Sequence, residues 1–304
     1  MATLQLGSEY DKFLDGNIVK AYPELIALAD KISGGKRSNV RSVEELLARQ
    51  GSILGKARSY AYSAVDPTIA PGHDRRHLKA VEANHLQLIH VQYGKKEPLL
   101  EFCSRMAAIF HDLRHPGASF WEDTSSRGNF KYTVEWTSAQ YAVEWCVNEG
   151  FPLEVIMLIT TQILATTLGH NMAKKRGLQC VPPLIPIEHP VTASIHAGDV
   201  RPYATLKLSV EKGLDLLVVE VPWAGPDKRV HNFAELKSSQ VFFLDHEEGL
   251  RRDYVAARRV LGSKVLGGWE VERMRLAREM AAMTGDEGWA QTLFKKYSRH
   301  GFKP

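Results

Sequence analysis

The sequence has little cysteine. Its three residues, Cys103, Cys146 and Cys180, lie far apart and form no CxxC pair, which excludes a disulfide framework and a thiolate zinc site. It has no run approaching the ~18 uncharged apolar residues of a membrane helix, and the N-terminal MATLQLGSEYDKF carries neither the basic nor the apolar block of a signal peptide. No charge of one sign dominates. The 39 Lys and Arg against 35 Asp and Glu leave +4, spread along the chain, so a nucleic-acid polymer is not an expected partner. Internal repeats and low-complexity tracts are absent too. These absences lead to the expectation of one cytoplasmic domain over residues 1–304, off the membrane and long enough to bury a core; they say nothing of its oligomeric state.

What is present is helical periodicity. Apolar residues recur at a spacing of three and four in Leu78, Val81, Leu88 and Val91, in Leu99, Cys103, Met106 and Phe110, and in Leu153, Ile156, Met157 and Leu164. The pattern returns in Trp269, Met274, Leu276 and Met280. Pro and Gly punctuate it at Pro71-Gly72, Gly94, Pro116-Gly117 and Gly150, and helix starts are read near Pro23 and Val43 within an N-terminal helical subregion, 1–60. The one β-like run, Leu214 to Val221, has no second strand to pair with. An all-α, multi-helix fold is therefore expected, with this run helical or irregular.

Histidine is the other feature in excess, with twelve residues. By composition about 0.5 His-Asp dipeptides are expected, and two occur, His73-Asp74 and His111-Asp112. His77 follows the first at the start of a helical window. His111 continues the apolar row of Cys103, Met106 and Phe110, so His111 and Asp112 emerge from a buried helix end. Asp199 closes the stretch Ile195-His196-Ala197-Gly198-Asp199. Two imidazoles and two carboxylates suit zinc, manganese, iron or magnesium, and a cation so held lowers the pKa of a bound water. Singly, histidines such as His85, His90 and His231 are read as satisfied core or surface residues.

His77, His111-Asp112 and Asp199 stand in the order of the HD-domain superfamily, and the chain resembles in particular the catalytic domain of class I cyclic nucleotide phosphodiesterases. His73-Asp74-Arg75-Arg76-His77 is similar to that family's HNxxH, and the segment from His111 to Gly117 to its HDxDHPG. Ile163 to Thr167 resembles ILATD, Ile195 to Val200 resembles the HCADLSNP segment, and Ser239 to Leu244 resembles SQVGFI. The blocks keep family order across 73–244.

The resemblance implies a phosphodiesterase-like fold and metal-dependent hydrolysis of a 3′,5′-cyclic nucleotide to the 5′-monophosphate. His77, His111, Asp112 and Asp199 would hold a divalent ion, zinc, magnesium or manganese. His73 would be the general acid, with His115 and Glu135 as further catalytic candidates. Gln240 would pair with the purine edge and Phe243 would stack on it, although the same pair at helical spacing also describes an ordinary helix with a buried Phe.

The chain also departs from the family pattern. Arg114 replaces an acidic residue, where it can attract an anionic small-molecule substrate or pair with a neighbouring carboxylate. Thr137 and Ser138 stand where the family has two histidines, and Thr167, Asp74 and Pro202 break other motif positions. The first ion's ligands survive while the surroundings of a second are eroded, with Asp74 and His170 as candidates to compensate. Two alternatives follow: a divergent enzyme on this scaffold acting on a small molecule that is not a nucleotide, by one metal or by acid/base chemistry, and a ligand-binding protein without turnover.

Overall fold

The computed structural model describes residues 23–34, 40–95, 97–113, 134–166, 189–201, 204–220, 230–245, 257–262 and 264–304. Among them lie α-helices and no strand, with an isolated bridge between Asn232 and Lys303. The N-terminal part holds α1 (Pro23–Ile32), α2 (Val43–Ala48) and α3 (Gln50–Ala64). The helix starts expected near Pro23 and Val43 are there, and Ser42 caps α2 by accepting from the Glu45 amide.

The central elements are α4 (Arg75–Tyr93), α5 (Pro98–Phe110), α6 (Val134–Asn148), α7 (Leu153–Leu164) and α8 (Pro190–Asp199). Nearly every side chain of α5 is buried. Phe102, Met106, Ile109 and Phe110 pack among Ala57 and Ala61 of α3, Trp136 and Val143 of α6, and Ile156 and Ile159 of α7. Phe110 meets Trp145 with ring centroids 5.4 Å apart, and Phe102 meets Phe151 at 5.8 Å. Beyond Pro98, only Glu101 and Arg105, paired with each other at 2.8 Å, mark the outer face of this helix, and the rest of it is enclosed by others. Its end at Phe110 is thereby fixed, and with it the start of the His111–Leu113 turn.

Two further apolar clusters complete the molecule. One joins Leu88, Ala193 and Ala197 to Leu244, Leu266, Trp269 and Leu276, linking α4 and α8 to α10 (Phe233–Asp245) and α11 (Lys264–Ala282). The other gathers Val210, Leu214, Val218, Leu236, Met280, Phe294, Tyr297 and Phe302 around α9 (Leu206–Leu214) and α12 (Gly288–Tyr297).

Some side chains fall outside the expected rows. Val91 and Met274 are 54% and 45% exposed. Met274 is five residues past the buried Trp269, about 140° round the helix at 3.6 residues per turn, whereas Leu276 and Met280 return to the buried side. The β-like run is a π-helical turn, Asp215–Glu220, at the end of α9. Its branched residues serve packing rather than strand pairing, and Val218 enters the third cluster.

Helix α8 lies directly on α4. A Cβ on Gly198 would come within 3.1 Å of the His85 backbone nitrogen, and Asn84 donates from Nδ2 to Gly198 O at 3.0 Å. Beneath that contact His85 is wholly buried, bridging Gln162 Oε1 at 2.9 Å and Ser194 Oγ at 3.0 Å. Burial lowers its pKa to about 4 from an ordinary 6.5. The unfolded chain therefore takes up a proton at His85 that the fold refuses, and stability falls as pH drops from 6.5 toward 4. At 1.36 kcal/mol per unit this group alone removes about 2 kcal/mol between pH 6.5 and 5. Urea unfolding of wild type and His85→Asn at the two pH values measures it. The wild type should lose more stability than the variant by about that amount, and parallel losses would contradict the assignment.

Candidate metal centre

Four side chains from three helix ends converge at the junction of α4, α5 and α8. His77 sits in the first turn of α4, whose N-cap Asp74 accepts from the Arg76 amide at 2.8 Å and the His77 amide at 3.3 Å. His111 follows the last residue of α5 and Asp112 is next to it, while Asp199 is the last residue of α8. One donor atom from each lies within 4.8 Å of all the others, and His77, His111 and Asp112 are buried.

The donor distances are compatible with ligands around one ion. His111 donates from Nδ1 to Ala108 O at 2.9 Å, which turns Nε2 inward. That nitrogen is 3.2 Å from His77 Nε2, 3.0 Å from Asp112 Oδ2 and 3.4 Å from Asp199 Oδ1. His77 Nε2 is 3.1 Å from Asp112 Oδ2 and 3.0 Å from Asp199 Oδ1. Donors about 2.0–2.2 Å from a shared cation stand about 3.0–3.5 Å apart at octahedral to tetrahedral angles. Asp112 Oδ2, close as it is to both rings, is buried and completes no hydrogen bond among the described residues. Such an atom in a mixed nitrogen and oxygen set fits a divalent ion.

Electrostatics agree with the geometry. Burial acts against charge on His111, but the Asp112 and Asp199 carboxylates outweigh it and raise its pKa well above the usual imidazole range. Both carboxylates are held below theirs: burial opposes this, and the imidazoles beside them prevail. A proton on His111 and a cation therefore compete for the same place.

His73 borders the group. It ends a short 3₁₀ turn, Pro71–His73, and its ring meets that of His77 edge-on with centroids 5.4 Å apart. Its Nε2 is 4.0 Å from Asp112 Oδ2, and its Nδ1 is 2.6 Å from Glu220 Oε2. Asp74, a candidate to orient His73, instead caps α4 and pairs with Arg76 Nε at 2.7 Å. The partner of His73 is Glu220, which also accepts from the Gly72 amide. Glu220 was hidden in the β-like run, where only a carboxylate ending a branched stretch marked it.

Ser138 donates from Oγ to Leu113 O at 3.3 Å, which docks the first turn of α6, carrying Glu135 and Thr137, beside the His111–Leu113 turn. The Gln240 side chain lies against Gly213, where a Cβ would meet its Cδ at 2.7 Å, and Phe243 packs at the edge of the second cluster. His196 donates from Nδ1 to Ala165 O at 3.0 Å. Arg114, His115, Thr167, His170 and Pro202 lie outside the described residues.

In comparisons with known proteins, no family model, curated protein or solved structure matches the chain. Among the described residues no helix is long and apolar enough to cross a membrane.

Purified protein should carry about one zinc, manganese or magnesium ion per chain by elemental analysis, and Asp199→Ala or His111→Ala should drop to background. Because His111 must lose its proton to bind, affinity should rise with pH up to its raised pKa and gain nothing beyond. Titration calorimetry at stepped pH checks that sign.

Proposed function

We propose that this protein is a metal-dependent phosphoester hydrolase whose substrate is a 3′,5′-cyclic nucleotide, opened to the 5′-monophosphate. The observation that carries the reading is the placement of His73, gripped on Nδ1 by Glu220 and presenting Nε2 to the edge of the His–Asp group. His77, His111, Asp112 and Asp199 would hold a divalent cation, which would supply Lewis-acid polarisation of a phosphate oxygen and acidify water.

The chain's own residues do the rest. His77 and His111 hold their rings by the start of α4 and the end of α5. Burial opposes charge on His73, but Glu220 and Asp112 outweigh it and raise its pKa, which favours the protonated ring and suits it to donate a proton from Nε2. With Nδ1–H directed at the Glu220 carboxylate, Nε2–H faces the departing ribose oxygen. The Gly72 amide and His73 share one carboxylate, which fixes the orientation of the His73 ring. The substrate is a small anion, and the likeness of the motif order to class I phosphodiesterases points to a cyclic nucleotide.

A second reading has its own observation. Ser138 directs its hydroxyl to Leu113 O, where the family pattern has an imidazole, which favours a single ion and leaves room for a phosphoester that is not a nucleotide.

Hydrolysis of cAMP and cGMP by protein loaded in turn with magnesium, manganese and zinc tests the proposal. Turnover is expected with at least one metal and should vanish in Asp199→Ala. His73→Ala should lower kcat about 10²–10⁴-fold with metal content retained, the usual contribution of a general acid. A metal-loaded, folded protein that leaves both cyclic nucleotides intact but cleaves another phosphomonoester or diester would transfer the assignment to the second reading.

A further inference from the structure

The π-helical turn Asp215–Glu220 directs two buried carboxylates at the segment that bears His73. Glu220 takes the Gly72 amide and His73 Nδ1, and Asp215 lies 3.6 Å from Arg76 Nη2. On an α-helix, residues five apart point about 140° away from each other. Hydrogen bonds from i to i+5 widen the turn and carry the fifth residue back over the first. The unusual turn is thus what lets both carboxylates face the 71–76 segment. The contact leaves no slack: a Cβ on Gly72 would meet Glu220 Oε1 at 2.5 Å and Leu216 Cδ2 at 2.7 Å, and Lys212, three residues before Asp215, donates to Gly72 O.

Such a turn has poorer geometry than an α-helix and persists where its surroundings hold it. The surroundings here are the C-terminal segment. Tyr297, at the end of α12, donates its buried hydroxyl to Asp215 Oδ1. Lys303 donates its amide to His231 O at 2.7 Å, and the neighbouring Val230 donates its amide to Leu217 O, inside the turn, at 3.2 Å. Phe302 stacks on Phe294 at 5.4 Å, and both share a cluster with Val218 and Tyr297. The basic stretch around Tyr297 therefore has one face buried against the turn.

We infer that residues 288–304 position His73 through Tyr297 and Asp215, so that the C-terminal segment acts on the candidate active site without touching it. Tyr297 and Asp215 are positioning residues. The kinetic consequence rests on the reading of His73 as general acid; the mechanical coupling does not. Without the Tyr297 hydroxyl, Asp215 is a buried carboxylate short of a donor. The turn relaxes, Glu220 swings, and His73 loses its aim while the four metal ligands stay.

Tyr297→Phe keeps the ring in its cluster and removes only the hydroxyl, and the full-length, metal-loaded protein gives two readouts. Amide hydrogen exchange tests the coupling with no reference to a reaction. Exchange in peptides covering 71–77 and 215–220 should quicken about tenfold, the scale of one lost hydrogen bond to a charged group, while that over 153–164 stays as in wild type. Unchanged exchange at 71–77, or equal quickening over 153–164, overturns the inference.

Leaving-group dependence tests the consequence. Cleavage of cAMP expels an alkoxide that needs a proton, whereas bis(p-nitrophenyl) phosphate expels a phenolate that does not. Tyr297→Phe should lower kcat for cAMP about tenfold at constant KM and change cleavage of the aryl ester by less than about twofold, with Asp215→Asn behaving alike. Equal losses on both substrates overturn the link to the acid. A wild type inactive on both esters overturns the hydrolase reading instead, and the exchange result then decides the coupling by itself.

Discussion

Two imidazole nitrogens 3.2 Å apart, flanked by the carboxylate oxygens of buried Asp112 and half-buried Asp199, form an arrangement that needs positive charge at its centre. Either a proton on His111 or a cation supplies it, and the surrounding structure serves to keep the four donors facing inward. The Asp74 cap fixes the first turn of α4 and so His77. The enclosure of α5 fixes where His111 and Asp112 emerge. Gly198 lets α8 approach the backbone of α4 closely enough for Asp199 to complete the set. None of these features binds anything itself, yet the loss of any one would part donors that have no other reason to adjoin.

The legibility of the chain follows from the range of its interactions. Helical spacing is a local property, and it marked α1, α2, α4, α5, α7 and α11 because each presents an apolar row to a partner. It failed at Val91 and Met274, where the row continues in sequence past the surface it packs against. His111 and Asp112 were legible for a similar reason, since a His-Asp pair at a buried helix end is unusual within a few residues, whereas joining His77 and Asp199 to them rested on the motif order of the family the chain resembles. Glu220 was not. Its meaning depends on a turn that wraps i to i+5 and on a contact with Gly72, 148 residues earlier in the chain. Tyr297 was not legible for the same cause: it stands among Lys295, Lys296 and Arg299, and only Asp215, 82 residues before it, makes it internal.

The metal ligands and the acid rest on different parts of the molecule. His77, His111 and Asp112 are anchored in helices whose side chains fill the first apolar cluster, with α8 spanning the first and second. His73 is held by Glu220, at the end of the π-helical turn whose Val218 enters the third cluster with α9, α12 and the C-terminal residues. Helices α10 and α11 place side chains in both the second and the third cluster, so the acid and the cation site are tied by packing as well as by the polar contacts between the Pro71–His73 turn and the π-helical turn. Dense packing of this kind resists small displacements and holds the two at a set separation. The reaction proposed here depends on that separation, since proton transfer and attack on phosphorus must coincide. Glu220 is thus the residue through which the third cluster reaches the site.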